Sequence, residues 1–550
     1  MYGRNVQHVE PVLILLLILV VGLAILAKRF RTPYPIVLVV GGLLLSLVPH
    51  MPHAELNPEV VFLVFLPPLL FSAAFQTSWR DFRYNLVSIS MLAFWLVGFT
   101  VYGIAAVAPS ILPGFDWHLG LVLGAVVCTT DAIAATSIAR RLGLARRIRD
   151  VIEGESLFND ASGLLALQLA IAIVVTGNVP TAAAQTGRLL YLVASGIVIG
   201  LVIGKLVYWV EKKIADPPIE ITISLITPYF AYLAAESVHS SGVLATVVCG
   251  VYLGHEASIY LSTRARLQAA AVWETLNFVL NGIVFILIGL QLPYILSDIH
   301  GVSLKRLLLT GLLFSGAVIA LRFVWVYPGA WISYFIRRRL LGQPEVAPPA
   351  RAIFIVGWAG MRGVVALAAA ISLPVTLNDG TPFPRRHQII FLTFCVIFVT
   401  LVLQGLTLGP LIRVLKLAGL AGKNPEEERA RSAMIEAALA YLEHAREEDH
   451  SEFAPVYDDL IRMQHHKLNL VQHNISVETG HRITTVSGNS PATSGLFSAP
   501  HFSTCATKTK STMKSCAISS VTSTCSRCRP RARNIPERFS SEVGSCGALN

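Results

Sequence analysis

The sequence predicts an all-α integral membrane protein of about thirteen transmembrane helices, two of them interrupted, followed by a cytoplasmic C-terminal segment. Three observations predict it. The chain is 54% hydrophobic and only 14% charged, where soluble globular chains carry roughly 25% charged residues. Apolar runs near span length recur from Pro11 to Leu417, and about 20 such residues cross the hydrocarbon layer as a helix that satisfies its own backbone hydrogen bonds. The basic residues between the runs also alternate, rich on one side and poor on the other. A soluble reading would need many long helices buried whole in one core.

The runs fall at roughly 11–27, 34–48, 59–75, 86–109, 119–138, 157–176, 189–209, 219–236, 241–254, 273–291, 307–336, 352–373 and 388–417. The second and ninth are short, and the eleventh is long enough to tilt or to continue past the membrane. Lys28, Arg29 and Arg31 follow the first run instead of preceding it, as in an uncleaved span with its N-terminus outside. With that orientation the cytoplasmic loops hold eighteen Lys and Arg against six on the opposite side, the bias expected for N-out, C-in in a plasma membrane. The net charge of +11 is thereby a topological signal, and nucleic-acid binding is not needed to explain it.

The membrane part is expected to span 1–420. Asn424 and Pro425 followed by three glutamates read as a helix start, and a charged helical segment is expected over 421–473. From 474 the chain turns Ser- and Thr-rich without helical period; two readings fit, a disordered extension or translation out of frame. Cys128, Cys249 and Cys395 read as apolar filling of spans. Cys525 and Cys528 form one CxxC without a second pair at zinc-site spacing, and a cytoplasmic tail argues against disulfides.

An ionisable residue within a span costs about 2.5–3.5 kcal/mol on insertion scales and is a functional candidate by default. Ser156, Asn159 and Asp160 are spaced i, i+3 and i+4 and share one helix face. That face offers a hydroxyl, an amide oxygen and a carboxylate, the oxygen ligands a dehydrating Na⁺ needs. Asp131 follows Thr129 and Thr130 in mid-span, which suggests a locally opened helix of the kind that forms the midplane sites of secondary transporters. Gly360 and Gly363 flank Arg362 and weaken its helix too. Arg362 must be paired, and Glu155 is its expected partner. Glu236, Glu274, Arg322 and Lys205 are read as lying near span ends, where long side chains snorkel.

Five segments together resemble the monovalent cation/proton antiporter family of the NhaP and sodium/proton exchanger type: CTTDAIAATSIARRLGL (128–144), EGESLFNDASGLLAL (153–167), SGVLATVVCGVYLG (241–254), NFVLNGIVFILIGLQLP (277–293) and GWAGMRGVVALAAAISLP (357–374). The resemblance extends over most of 11–417 and implies a thirteen-span inverted-repeat fold, as a homodimer. Its core would contain the fourth to sixth and eleventh to thirteenth spans, with two unwound helices crossing near the ion site. By motif position Thr130, Asp131, Ser156 and Asp160 look like the cation site, Asn159 like the Asn of the family's Asn-Asp pair, and Glu155 with Arg362 like its buried ion pair. Related electrogenic antiporters have Asp-Asp where Asn159-Asp160 stands, so Asn159 implies electroneutral exchange. Two positions depart from the pattern. Ala132 stands where many exchangers have Pro, and Ser72 stands where many have an acid, which removes one potential ligand.

The expected function is secondary exchange of a monovalent cation, Na⁺ first, for H⁺ at Asp160 and Asp131, serving pH and sodium homeostasis. K⁺/H⁺ antiport and, less favoured, a cation channel stand as alternatives. No cofactor or nucleotide is expected, since the sequence has no P-loop. An intramembrane hydrolase would need a His beside Ser156, and the spans supply none.

Overall fold

The computed structural model describes residues 2–48, 58–176, 182–214, 216–297, 303–343, 347–377, 380–419, 425–448 and 454–486. Among them it is helical throughout, with one isolated bridge, Thr376 to Pro382, in place of any strand. The chain forms two compact units, Met1–Glu427 and a second beginning at Glu428.

In the first unit the helices are α1 (Tyr2–Phe30), α2 (Tyr34–Leu45), α3 (Pro58–Gln76), α4 (Trp79–Ile111), α5 (Trp117–Val127), α6 (Ala132–Arg141) and α7 (Arg146–Thr176). They continue with α8 (Ala182–Glu211), α9 (Pro217–Ser237), α10 (Gly242–Tyr260), α11 (Thr263–Leu290), α12 (Leu304–Arg339), α13 (Ala350–Trp358), α14 (Val364–Ile371) and α15 (Arg386–Val414). Ten helical segments among the described residues are long and apolar enough to cross a membrane. The other segments expected to span fall on α1, on the short apolar α2, and on α13 with α14. The ninth expected span ends later than its apolar run, because α10 carries on through His255 and Glu256 to Tyr260.

Polar residues at the starts fix several helix boundaries. Asp116 accepts from Leu119 N at 2.9 Å and opens α5; Ser241 and Ser262 do the same for α10 and α11 at 3.3 and 3.2 Å. Such caps satisfy amide groups that a helix leaves free at its first turn.

Two groups of helices share the first unit. One packs α4, α5, α7, α12, α14 and α15 together, and the other packs α1, α2, α3, α8, α9, α10 and α11. The first group repeats one order twice: a long helix, an interrupted helix, and a second long helix. Small residues let it close. A Cβ on Gly120 would lie 2.7 Å from Ala105 Cα, and one on Gly124 would lie 2.8 Å from Val101 Cα, the small-xxx-small contact by which helices approach in lipid. α4 and α15 each contain a π-helical turn, Met91–Trp95 and Thr400–Gln404. The first frees carbonyls that neighbours use: Trp325 Nε1 donates to Met91 O at 3.0 Å and Ser162 Oγ to Ala93 O at 2.5 Å.

The second unit holds the helix Pro425–Glu448 from Glu428 onward and the helix Ala454–Val486, joined by Arg446 to Asp458 at 3.1 Å. The helix start expected at Pro425 is observed, while its capping Asn424 lies outside the described residues. The last helix runs on to Val486, so the change of composition at 474 is not where the helix ends. Residues 487–550, and with them the five tail cysteines, lie outside the described residues.

Candidate functional site

Both interrupted helices break where the sequence places polar residues among small ones. α5 stops at Val127 and α6 starts at Ala132; α13 stops at Trp358 and α14 starts at Val364. The two breaks are joined through the main chain, Asp131 N donating to Met361 O at 2.7 Å. Asp131 also begins α6, its Oδ1 accepting from Ile133 N at 2.7 Å. Gly363 begins α14, and a Cβ there would strike Asp131 Oδ2. The amino ends of both half-helices therefore converge on one carboxylate, where their partial positive charge favours an anion.

The carboxyl ends of the other two half-helices face the arginines. Arg362 Nε donates to Val127 O at 3.0 Å, its Nη1 donates to Gly360 O, and its backbone N donates to Thr400 Oγ1 at 3.1 Å. Arg322 Nε donates to Gly357 O at 2.9 Å and its Nη2 to Val356 O at 3.0 Å. Each guanidinium thus takes carbonyls left without partners where a helix stops.

This arrangement corrects the expected ion pair. Glu155 is held by Arg322, Nη1 to Oε1 at 2.5 Å and Nη2 to Oε2 at 2.8 Å, with both side chains 2% exposed. Arg362 makes no bond to Glu155 among the described residues; its Nε and Nη1 turn to carbonyls of the two breaks instead. Arg322 is not near a span end either. It stands midway along the expected span 307–336, and that central position was the signal in the sequence.

The other expected residues meet around Thr130. Ser156 Oγ donates to Thr130 O at 2.7 Å and accepts from Ala132 N at 3.2 Å, so it bridges the break in the α5–α6 helix. Asn159 Nδ2 donates to Thr130 Oγ1 at 2.5 Å, and Thr130 Oγ1 donates to Glu155 Oε1 at 3.3 Å. A cavity of about 230 Å³, room for several waters, is lined by Thr130, Asp131, Ser156 and Asp160 together with Ser72, Asn277 and Asn281. Asn159 does not line it. Asp160 is 6% exposed and, among the described residues, makes no hydrogen bond or ion pair; its carboxylate is the free one in the cavity.

Asn277 and Asn281 were not singled out from the sequence. They stand i and i+4 on α11, a pair of amides on one face of a span, which is the same signal that Ser156 and Asp160 gave. Asn277 Nδ2 donates to Ser72 Oγ at 2.6 Å, while its Oδ1 is buried without a partner among the described residues.

Residues 15–414 match the family model described as sodium/hydrogen exchanger, transmembrane. The chain belongs to the sodium/hydrogen exchanger family. The exchanger is 35% identical over 433 residues to an uncharacterised Na⁺/H⁺ exchanger of Mycobacterium tuberculosis, covering 78% of this chain and 79% of the relative. It is 32% identical over 443 residues to the Na⁺/H⁺ antiporter ApNhaP of Aphanothece halophytica, covering 79% and 81%. It is likewise 32% identical over 456 residues to a sodium, potassium, lithium and rubidium/H⁺ antiporter of Bacillus pumilus, covering 80% and 67%. Among solved structures the exchanger resembles the sodium proton antiporter MjNhaP1 of Methanocaldococcus jannaschii, with TM-score 0.60 and 18% identity over 76% of this chain and all of that one. The fold is that of an all-α membrane antiporter.

Proposed function

We propose that the chain exchanges Na⁺ for H⁺ across the plasma membrane, one for one, with Asp160 as the carrier of both. The observation that carries this reading is the contrast between neighbouring acids. Glu155 is neutralised by Arg322, and the Asp131 carboxylate accepts from Ile133 N at 2.7 Å. Asp160 lines the cavity and has no hydrogen-bond or ion-pair partner among the described residues. A carboxylate in such a place is satisfied by a cation or by a proton, but not by both at once.

Asp131, Ser156 and Thr130 would complete the cation's oxygen shell, and Asn159 would hold Thr130 in place. Because Asn159 is neutral, Asp160 with Na⁺ and Asp160 with H⁺ leave the same charge at the site, which makes the exchange electroneutral. If only these loaded forms rock across the membrane, coupling is obligatory.

The remaining architecture belongs to the same proposal: thirteen spans in an inverted repeat, N-terminus outside, C-terminus cytoplasmic, membrane domain 1–420, and a homodimer. The loop charges support the orientation, and the family resemblance supports the dimer. The cavity reaches Gln76, Thr77, Arg140 and Glu153, in or beside the basic loops 76–85 and 139–150, which supports a site open to the cytoplasm. K⁺ as the exchanged ion is favoured by one observation, that the similar Bacillus proteins are sodium, potassium, lithium and rubidium/H⁺ antiporters.

The test is purified protein in proteoliposomes under a pH gradient, with Na⁺, K⁺ and Li⁺ in turn and with the membrane potential clamped or free. Cation-dependent proton movement that is indifferent to the clamp is expected, and Asp160→Asn abolishes it. Exchange retained in a correctly folded Asp160→Asn protein removes Asp160 from the carrier role, and conductance without counter-transport replaces exchange by a channel.

A further inference from the structure

A second cavity, of about 880 Å³, adjoins the first and shares Ser72, Gln76, Thr136, Asn277 and Asn281 with it. Glu211, the last residue of α8, and Glu220, in the first turn of α9, line this antechamber. Both are 1% exposed. Oε1 of Glu211 is buried without a hydrogen-bond partner among the described residues. Glu220 accepts from Ser262 N at 3.3 Å and from Ser262 Oγ at 3.5 Å. The two carboxylates act electrostatically on each other and on the Tyr260 hydroxyl. Tyr260 lines the same cavity, is 8% exposed and makes no hydrogen bond among the described residues.

No basic side chain among the described residues neutralises the pair. Lys212 and Lys213 follow Glu211 directly but lie over the rings of Tyr208 and Trp209. Arg140 and Arg266 also line the antechamber; Arg140 is engaged by Glu153 at 2.9 Å. Glu274 adds a third acid to the lining. The space is thus acidic on balance, and clefts lined by one sign of charge concentrate the opposite ion.

Two buried carboxylates without a counter-charge repel each other and lack solvation, so a positive species belongs between them. The available oxygens are two carboxylates, a phenol and a serine hydroxyl. They number six at most, several already occupied in the bonds from Ser262 to Glu220 and from Ala265 N to Ser262 Oγ, which leaves fewer than the six to eight that Ca²⁺ takes, and Mg²⁺ enters such sites only with most of its waters. We infer that Glu211, Glu220 and Tyr260 form a second monovalent-cation site, an antechamber station separate from Asp131 and Asp160. Asn277, with its unpartnered Oδ1, stands where the two cavities meet and offers an oxygen between the stations. The inference rests on the exchange reading only for the identity of the cation.

The experiment measures ²²Na⁺ binding to the purified full-length chain. Asp160→Asn protein is expected to keep saturable binding, and the same protein carrying Glu211→Gln and Glu220→Gln is expected to lose it. Tyr260→Phe, which keeps the ring beside Tyr208, weakens that binding and serves if the glutamine variants fail to fold. In proteoliposomes, Glu211→Gln/Glu220→Gln protein needs about tenfold more Na⁺ for half-maximal exchange, the loss expected for removing charged ligands. No saturable binding to Asp160→Asn protein, or binding unchanged by the glutamine and phenylalanine variants, overturns the inference and leaves the two glutamates sharing a proton. Failure of the exchange reading shows separately, as wild-type protein that binds ²²Na⁺ and moves no protons.

Discussion

Glu155 and Asp160 lie five residues apart on one helix and differ in what faces them. Two N–H donors of Arg322 grip Glu155 in parallel, the geometry that makes arginine the preferred partner of a buried carboxylate. Removing one member of such a pair strands the other and costs about 3–5 kcal/mol. Arg322→Gln should therefore lower the melting temperature of the detergent-solubilised protein sharply, and adding Glu155→Gln should restore part of the loss. Arg362→Gln combined with Glu155→Gln should show no such recovery, since Arg362 bonds to carbonyls. Recovery with Arg362 instead of Arg322, in melting curves of the four variants, would reverse this assignment. Asp160→Asn removes a buried carboxylate that has no partner among the described residues and should leave the melting temperature unchanged or raise it, read in the same curves.

At the scale of elements, the interruptions do the work, and their geometry is tight. Gly363 has no room for a Cβ beside the Asp131 carboxylate, so Gly363→Ala must displace that group or the start of α14. A displacement of about 1 Å at a reacting group can cost on the order of 100-fold in rate, and exchange assays at matched protein levels should show a loss of that order. At the crossing of α4 and α5, Gly124→Val should cost about 1–3 kcal/mol through overpacking, visible as a lowered melting temperature. Both interruptions were legible in the sequence, because polar residues and glycines stand where an apolar run should continue: Thr129 to Asp131, and Gly360 to Gly363. The pairing across them was not. Which arginine meets Glu155 depends on how α12 lies against α13, and Gly357 O and Val356 O become acceptors only because α13 stops there. Asn159 was placed on the right face, yet its amide reaches Thr130 instead of the cavity, a choice of rotamer that spacing does not encode. Glu211 and Glu220 escaped notice for another reason. They sit at the edges of spans, where an acid normally reaches water, and only the packing of α8 and α9 against α10 encloses them.

At the scale of the whole molecule, the two cavities share part of their lining and extend from Asp160 to Gln76 and Arg140 beside the basic loops, the access that the proposed orientation requires. Thr136 lines both cavities. In a background without the native cysteines, Thr136→Cys should react with a membrane-impermeant maleimide in everted vesicles and not in intact cells. The reverse pattern would invert the proposed orientation. High Na⁺ should slow the reaction, because cations held in the antechamber and at Asp160 occupy the same passage.

The bond from Asp131 N to Met361 O has a consequence for how such proteins diverge. It consists only of main-chain atoms, so no exchange of side chain at position 361 deletes it, and at position 131 only proline would remove its donor. That one link between the two breaks is thereby insulated from mutational drift, while the cavity wall around it, Ser72 and Asn277 included, is built from replaceable side chains. Lineages sharing this fold can then retune which ion they accept by changing the wall and leaving the hinge of the site intact.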